Sequence, residues 1–328
     1  MDQIPDEQVY PVELPDVRYF VLPQSLGFSR RLKNKSKETI FLPDEIKQLA
    51  STYGTTLGRM NTAALLPYRM AWLGVLDVQI QSFEQRALFQ AVAQVEDDFD
   101  NLVPPLREKL AAEMFANFMA SDKGIDAAHR GAIHRLHRST QLDEGSILRG
   151  AQDLLLQSAI SVWAAFETFV SDFIRCYLNQ CPQALHLLLA DEDAKKRIGR
   201  AKWTLTDLLA IGLNLSDRVG DLVLTENDLS DLVSMKALLL PLFERDEQLR
   251  MSLAEPDLFI LGKLRNILAH RGGAVDTKFE KETTGRWRAG ETVTIEVADL
   301  NRYLNATVAT VEQILTSANR KFENSRVL

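Results

Sequence analysis

The chain has 328 residues, a net charge of −7 and a hydrophobic share of 46%. This composition is typical of a globular protein with a buried core, and its acidic balance excludes a protein that coats nucleic acid through a broad basic surface. The two cysteines, Cys176 and Cys181, match neither a disulfide framework nor a zinc pattern, and no stretch resembles a membrane span or a leader. We therefore expect a cytoplasmic protein that uses no membrane, metal or cofactor.

The first forty residues are rich in proline and short of helical pattern, so we expect them to form an extended arm. From Leu42 onward the pattern becomes helical, with a long helix predicted over residues 68–99. Pro104 and Pro105 are predicted to interrupt the chain before a further helix over residues 106–119. The sequence thus predicts a mostly helical N-terminal domain over residues 1–142.

A basic stretch rich in histidine, DAAHRGAIHRLHRST, ends this domain. Its histidines are His129, His134 and His137, and its arginines are Arg130, Arg135 and Arg138. A metal site is disfavoured, because His129 and His134 are five residues apart and no ligand set is completed nearby. A polar helix surface is favoured over an RNA contact, although the RNA contact stays open as an alternative.

The second domain is expected over residues 143–328, and it begins with a long helix over residues 146–178. The core positions of this helix recur every seven residues, at Leu148, Leu155, Val162 and Phe169. Glu167 lies among apolar helical neighbours, and a carboxylate is costly to bury there unless it meets a cation or a donor. Two interpretations stay open: Glu167 faces a cationic partner, or it points to solvent.

The stretch EPDLFILGKLRNILAHRGG, residues 255–273, predicts an amphipathic helix that ends at a Gly-Gly cap. Its apolar arc consists of Ile260, Leu261, Leu264, Ile267 and Leu268. The opposite arc carries Lys263, Arg265, Asn266 and His270, with Arg271 in the last turn. Gly262 and Ala269 leave a patch with almost no side chain, which predicts that a nucleic-acid backbone or a second helix approaches closely.

The segment after this helix predicts a small β-hairpin, in which residues 286–288 pair with the alternating stretch ETVTIEV across Ala289-Gly290. Asp299 is predicted to cap a closing helix. The predicted core face of that helix is Leu300, Leu304, Val308, Val311 and Leu315.

Arg265-Asn266, followed by three residues and His270, resembles the signature of the HEPN superfamily. The order of segments is also similar to bacterial HEPN proteins, in particular the RiboL-PSP-HEPN group, over residues 146–328. These segments are a long helix with an acidic residue at Glu167, the motif helix, a small hairpin and a capped closing helix. The resemblance implies an all-α fold: a HEPN-type helical bundle with a small β-hairpin insertion, preceded by the helical N-terminal domain.

The resemblance further implies a metal-independent endoribonuclease that works as a homodimer with a composite active site. His270 would move the proton of the ribose 2′-OH, Arg265 would hold the scissile phosphate, and Asn266 would fix the imidazole or a phosphate oxygen. Glu167 would orient Arg265 or His270, and the RNA-binding residues Lys263 and Arg271 would hold the substrate. The first product would be a 2′,3′-cyclic phosphate.

The family also implies a role as a toxin or an antiviral-defence effector, and leaves open a regulatory or antitoxin partner. Two alternatives to catalysis stay open. One is a noncatalytic HEPN module that binds a nucleotide or a partner and scaffolds an oligomer. The other is an accidental pattern on a plain helical bundle.

Overall fold

The computed structural model describes residues 15–23, 28–143, 145–198, 204–210, 212, 215–225 and 229–327. These residues form helices and no β-strand, so the prediction of an all-α fold is confirmed for the described part of the chain. The chain divides into two compact units, one within residues 1–23 and 64–153 and the other within residues 24–63 and 154–328. Each unit is described below by itself.

Short 3-10 helices cover Pro15–Tyr19 and Pro182–Ala184. The α-helices of the described residues, numbered along the chain, are α1 (Phe28–Glu38), α2 (Asp44–Ala64), α3 (Leu66–Gln94), α4 (Phe99–Ala120), α5 (Asp122–Leu142), α6 (Ser146–Gln180), α7 (Leu185–Ala190), α8 (Glu192–Ile198), α9 (Leu205–Ala210), α10 (Val219–Thr225), α11 (Leu232–Leu242), α12 (Glu247–Leu253), α13 (Pro256–Arg271), α14 (Thr277–Glu282) and α15 (Val297–Val327).

The first unit is built on α3, α4 and α5, which pack against one another. Small residues let α5 lie close to α3: a Cβ added to Gly131 would be 3.0 Å from Val75 Cγ1, and Ala128 and Ala132 are fully buried. Close packing of this kind fixes which face of α5 points to solvent.

The prolines of α4 lie inside the helix rather than before it. The helix begins at Phe99, so the predicted interruption at Pro104-Pro105 is wrong. The two prolines lack the N–H groups that would bond to the carbonyls of Asp100 and Asn101. Both of these residues are exposed, so water can satisfy the free carbonyls.

His129 packs into the core side of the first unit. Its Nδ1 shares a hydrogen bond with the Tyr68 hydroxyl, and its ring lies 4.5 Å from the ring of Trp72. Burial lowers the pKa of His129, and the nearby Asp126 carboxylate opposes part of that effect. His129 therefore acts as a packed aromatic group within the predicted polar surface.

The second unit is built around α6, α13 and α15. The core positions of α6 include Leu155, Val162 and Phe169, each at most 3% exposed. The predicted core face of α15 is confirmed, because all five of its residues are buried: Leu300, Leu304, Val308, Val311 and Leu315. These helices position the motif helix, since α13 packs against α15.

The chain passes from the first unit to the second between Asp153 and Leu154, within α6, whereas the predicted boundary is at residues 142–143; residues 24–63 also belong to the second unit. The reason lies in α2, which carries a stripe of buried residues at helical spacing. These are Ile46, Ala50, Tyr53 and Leu57. The Tyr53 ring lies 5.4 Å from that of Phe169 on α6, so this stripe is part of the core of the second unit.

The prediction of an extended arm over the first forty residues is wrong for residues 28–38, which form α1. Leu32 is 1% exposed, and Arg31 forms a 2.8 Å ion pair with Glu312 of α15. The buried Leu32 and this ion pair hold α1 against α15, which the proline-rich pattern before it did not indicate. Residues 1–14 of the predicted arm lie outside the described residues.

The predicted hairpin within residues 286–297 is replaced by a different pairing. Thr292 forms an antiparallel bridge with Ala274, directly after α13. The Val293 N–H donates to the Gly273 carbonyl and the Val275 N–H donates to the Glu291 carbonyl, both at 2.9 Å. Alternating residues predict an extended segment but do not identify its partner, and here the partner is the end of the motif helix.

By length and composition, α6 is the one described helix that could cross a membrane, with a mean hydropathy of 1.4 over its most apolar window. The sequence expectation that no stretch approaches a membrane span therefore needs correction. Half of that window is buried inside the protein, as is common for the core helix of a globular unit. The length and composition of α6 are therefore weak evidence for a membrane-spanning helix.

Candidate functional site

The motif helix α13 starts and ends as its sequence predicts. Pro256 occupies its first turn, and Gly272 caps its C-terminus with a left-handed φ of 57°. Its buried face consists of Leu258, Leu261, Leu264 and Ile267. Ile260 and Leu268, also predicted for this face, are half-buried. The polar side chains of the motif therefore lie on the part of the helix that is open to ligands.

Arg265 and Glu167 face each other across α13 and α6. Arg265 Nη2 lies 3.9 Å from Glu167 Oε2, and each side chain is 27% exposed. The same carboxylate oxygen accepts a 3.1 Å hydrogen bond from the Trp163 indole N–H, one turn earlier on α6. Of the two interpretations of Glu167, the one that gives it a cationic partner matches this arrangement.

Gly262 lies against the indole of Trp163. A Cβ on Gly262 would be 2.8 Å from Cη2 of that ring, so the ring fills the space that the glycine leaves. The second helix that approaches closely at Gly262 is thus α6 of the same chain, and its indole covers the position that a partner's helix was expected to use. Ala269, the other small residue of the predicted patch, is exposed.

A shallow pocket of about 220 Å³ lies between α13 and α14. Its lining residues are Lys263, Asn266, Ile267, His270, Arg271, Asp276, Lys278, Phe279 and Glu282. Arg265 does not line it. The predicted site residues thus form two groups, with Arg265 and Glu167 on the α6 side and Lys263, His270 and Arg271 on the α14 side.

Asn266 connects these two groups. It lines the pocket, and its Oδ1 accepts a 3.1 Å hydrogen bond from Arg265 Nη1. Its amide nitrogen carries further donors that suit a phosphate oxygen. The predicted link from Asn266 to the imidazole is not formed: within the described part of the chain, no side-chain hydrogen bond joins Asn266 to the imidazole of His270.

His270 is exposed at the end of α13, and its imidazole makes no hydrogen bond to another described residue. Its two ring nitrogens are therefore accessible from solvent. An imidazole in this position can accept a proton from a bound hydroxyl group or return one to a leaving group.

Each cation of α13 is paired with a carboxylate of the same chain. Lys263 Nζ lies 2.8 Å from Glu282 Oε2, and Arg271 Nη1 lies 2.7 Å from Asp276 Oδ2. Together with the Arg265–Glu167 contact, these pairs neutralise the positive charge of the helix. A phosphate that binds here must compete with the carboxylates for the cations.

Besides its ion pair with Arg271, Asp276 caps the N-terminus of α14. Its side chain accepts a 2.7 Å hydrogen bond from the Phe279 N–H. This bond, together with the Arg271 guanidinium, holds the pKa of the Asp276 carboxyl below its ordinary value. The pocket that His270 lines thus also carries a carboxylate whose pKa lies below that of an ordinary aspartate.

Sequence reasoning missed three residues that shape this region: Trp163, Asp276 and Glu282. Trp163 had a usable signal, since it lies four residues before Glu167 on the same helix face. Asp276 also had one, as an aspartate three residues before a buried aromatic residue is typical of an N-cap. Glu282 had none, because its pairing with Lys263 depends on where the short helix α14 docks.

Comparison of the whole chain with protein-family models, with curated proteins and with solved structures finds no match in any of the three.

Proposed function

We propose that this protein is a metal-independent endoribonuclease of the HEPN type, which cleaves RNA through attack by the ribose 2′-OH. The observation that carries the proposal is the arrangement around Asn266. This residue bonds to Arg265, which faces Glu167, and it also lines the pocket that contains His270. The residues proposed to bind phosphate and to carry the proton, together with an amide that bonds to the first and lines the pocket of the second, therefore lie within two turns of one helix.

In the proposed reaction, His270 takes the proton of the 2′-OH while the 2′-oxygen forms a bond to the adjacent phosphorus. The bond from phosphorus to the 5′-oxygen breaks, and a protonated imidazole supplies the proton that this oxygen needs. Arg265 stabilises the charge on the phosphoryl oxygens, with Glu167 holding the guanidinium in place. The products are a 2′,3′-cyclic phosphate and a 5′-hydroxyl. DNA is not a substrate, since it lacks the attacking hydroxyl.

We further propose a homodimer with a composite site, because one imidazole cannot act as base and acid in the same step. A symmetric dimer supplies the second imidazole. The contact would use the exposed end of α13, where Ala269, His270 and Arg271 are all solvent-accessible. Gly262 plays no part in it, because Trp163 already covers that position.

The test is cleavage of end-labelled RNA in EDTA by the wild type and by His270→Ala. The matched control is His186→Ala, which removes another exposed histidine. We expect cleavage with cyclic-phosphate ends in the wild type and the control, and none in His270→Ala. Equal activity of the wild type and His270→Ala, or cleavage that requires a divalent metal, contradicts the proposal.

A second candidate function is the noncatalytic HEPN module that binds a nucleotide or a partner and scaffolds an oligomer. One observation favours it: the three cations of α13 are already paired with Glu167, Glu282 and Asp276. If it is correct, the wild type binds RNA or nucleotide without cutting it, and His270→Ala assembles into the same oligomer.

The cellular role as a toxin or an antiviral-defence effector, controlled by a regulatory or antitoxin partner, is proposed from the HEPN resemblance alone. Induced expression in a bacterial host tests it. We expect growth arrest with the wild type and normal growth with His270→Ala at equal protein levels. Normal growth with the active wild type contradicts a toxin role.

A further inference from the structure

The solvent face of α5 carries a basic stripe that the proposed active site does not use. Its members recur every three or four residues and are all exposed: Lys123, Ala127, Arg130, His134, Arg138 and Gln141. The stripe contains no carboxylate. With a rise of 1.5 Å per residue it is about 27 Å long, and Arg130, His134 and Arg138 follow one another at about 6 Å.

The opposite face of α5 fixes this orientation. Ala128, Ala132 and Leu136 are buried, and Gly131 packs on Val75. Rotating the helix to hide the stripe would expose this buried face, so the basic side chains stay in solvent. The acidic residues of α5, Asp122 and Asp126, lie about 80° or more from the centre of the stripe on a helical wheel.

The cations of the stripe also differ from those of α13 in their partners. Among the described residues, Lys123, Arg130 and Arg138 form no ion pair with a carboxylate. The cations of α13, in contrast, are all paired. Unpaired cations in a row hold small counterions, and a polyanion releases these counterions when it binds. The chain as a whole has a net charge of −7, so this row of positive charges has the opposite sign to the rest of the protein.

We propose that this stripe, Lys123, Arg130, His134 and Arg138, binds the phosphate backbone of RNA. A protein partner is disfavoured, because the only apolar side chain on the stripe is Ala127, which offers no buried anchor. A membrane is disfavoured for the same reason, since none of the side chains of the stripe is a large apolar group that could enter the bilayer. The choice of RNA as the nucleic acid rests on the proposed function, whereas recognition of a polyanion rests on α5 itself.

Binding is measured on the full chain carrying His270→Ala, so that bound RNA stays intact. Fluorescence anisotropy of a labelled single-stranded RNA gives the Kd over a range of salt concentrations. Into this background we introduce Lys123→Gln, Arg130→Gln and Arg138→Gln together. The matched control replaces three exposed cations of the same unit that lie off the stripe, in the variant Arg69→Gln, Arg86→Gln and Lys109→Gln.

We expect the stripe variant to bind roughly tenfold more weakly at moderate salt, and the slope of log Kd against log salt to fall by about 2, because three phosphate contacts are lost. The control should keep the original slope. Single-stranded DNA should lose affinity in the same way, since the contacts are to phosphates. A stripe variant indistinguishable from the control overturns the proposal, as does stripe-dependent binding to anionic vesicles but not to RNA.

The experiments distinguish failure of the proposed function from failure of this inference. Stripe-dependent RNA binding by a wild-type protein that cuts nothing supports the inference and contradicts the endoribonuclease. For cleavage, the same three substitutions are made in the wild type, which keeps His270. Cleavage by that protein with an unchanged KM supports the endoribonuclease and overturns the inference. Matching circular dichroism and thermal unfolding of the stripe variant and the control show that both are folded, since the replaced side chains are exposed.

Discussion

The indole of Trp163 lies so close to Gly262 that a Cβ on the glycine would be 2.8 Å from Cη2 of the ring. The same indole donates a hydrogen bond to Glu167, which faces Arg265. One side chain of α6 therefore sets both the distance between α6 and α13 and the position of the carboxylate beside the motif.

Gly262→Ala is expected to destabilise the protein by about 1–3 kcal/mol, because the added methyl group overlaps a ring that is 1% exposed. By helix propensity alone, alanine would stabilise the protein by about 1 kcal/mol relative to glycine. A net loss of stability in Gly262→Ala therefore shows that the overlap with the indole outweighs the gain in propensity. Urea unfolding measures it. The matched control is Gly150→Ala, a helical glycine whose Cβ would meet nothing within 4 Å, and it should be stabilising.

The overlap also predicts a rescue. Trp163→Phe removes the outer ring atoms that Gly262→Ala would strike, so the cost of Gly262→Ala should be smaller in that background. A double-mutant cycle of the two changes measures the difference. Additive effects would mean that another neighbour of Gly262 decides its conformation.

Glu167→Gln is expected to lower the kcat of RNA cleavage about tenfold with a smaller change in KM, since the neutral side chain no longer holds the Arg265 guanidinium. Glutamine keeps an oxygen that accepts from Trp163, so folding should be little affected. The matched control is Glu247→Gln, which removes a carboxylate paired with Arg250 on an exposed surface. A kcat unchanged by Glu167→Gln would leave this carboxylate without a positioning role.

Glu282→Gln is expected to strengthen RNA binding about threefold, as it frees Lys263 from the carboxylate that now competes with phosphate. The measurement is the Kd in the His270→Ala background. Glu323→Gln makes the same change of net charge at an exposed site away from α13 and should alter the Kd less. The gain should vanish when Lys263→Gln is added; a gain that persists would have to come from net charge alone.

Asp276→Asn is expected to weaken the docking of α14 in a pH-dependent way. The folded-state pKa of Asp276 lies below its unfolded value, so its contribution to stability is present above about pH 4 and is lost as the pH falls through the lowered value. The difference between wild type and variant in the urea midpoint should therefore shrink on acidification. A difference that grows toward low pH has the opposite sign and contradicts the lowered pKa.

Sequence alone predicts the helices whose signals are local. The ends of α13 and the core face of α15 follow from Pro256, Gly272 and the spacing of Leu300 to Leu315. Contacts between segments that are far apart in the sequence are harder to predict from it. The docking of α2 on α6, and of residues 290–293 on the end of α13, depends on surfaces that form only when the whole unit folds.

The candidate site shows the same division. The contact between Glu167 and Arg265 could be anticipated, because a carboxylate among apolar neighbours requires a partner. The ion pairs of Lys263 and Arg271 could not, because their partners lie on and just before α14, whose position on α13 is set by tertiary packing.

Helix ends usually fray, but the end of α13 is fastened by backbone hydrogen bonds on both sides of its cap. The Gly273 N–H donates to Ile267, and the Gly273 carbonyl accepts from Val293. The conformational entropy of the turn that carries His270 is therefore already lost when the chain folds. In the proposed ribonuclease, a substrate that binds at His270 would meet a preorganised backbone, and only the imidazole would remain to be ordered.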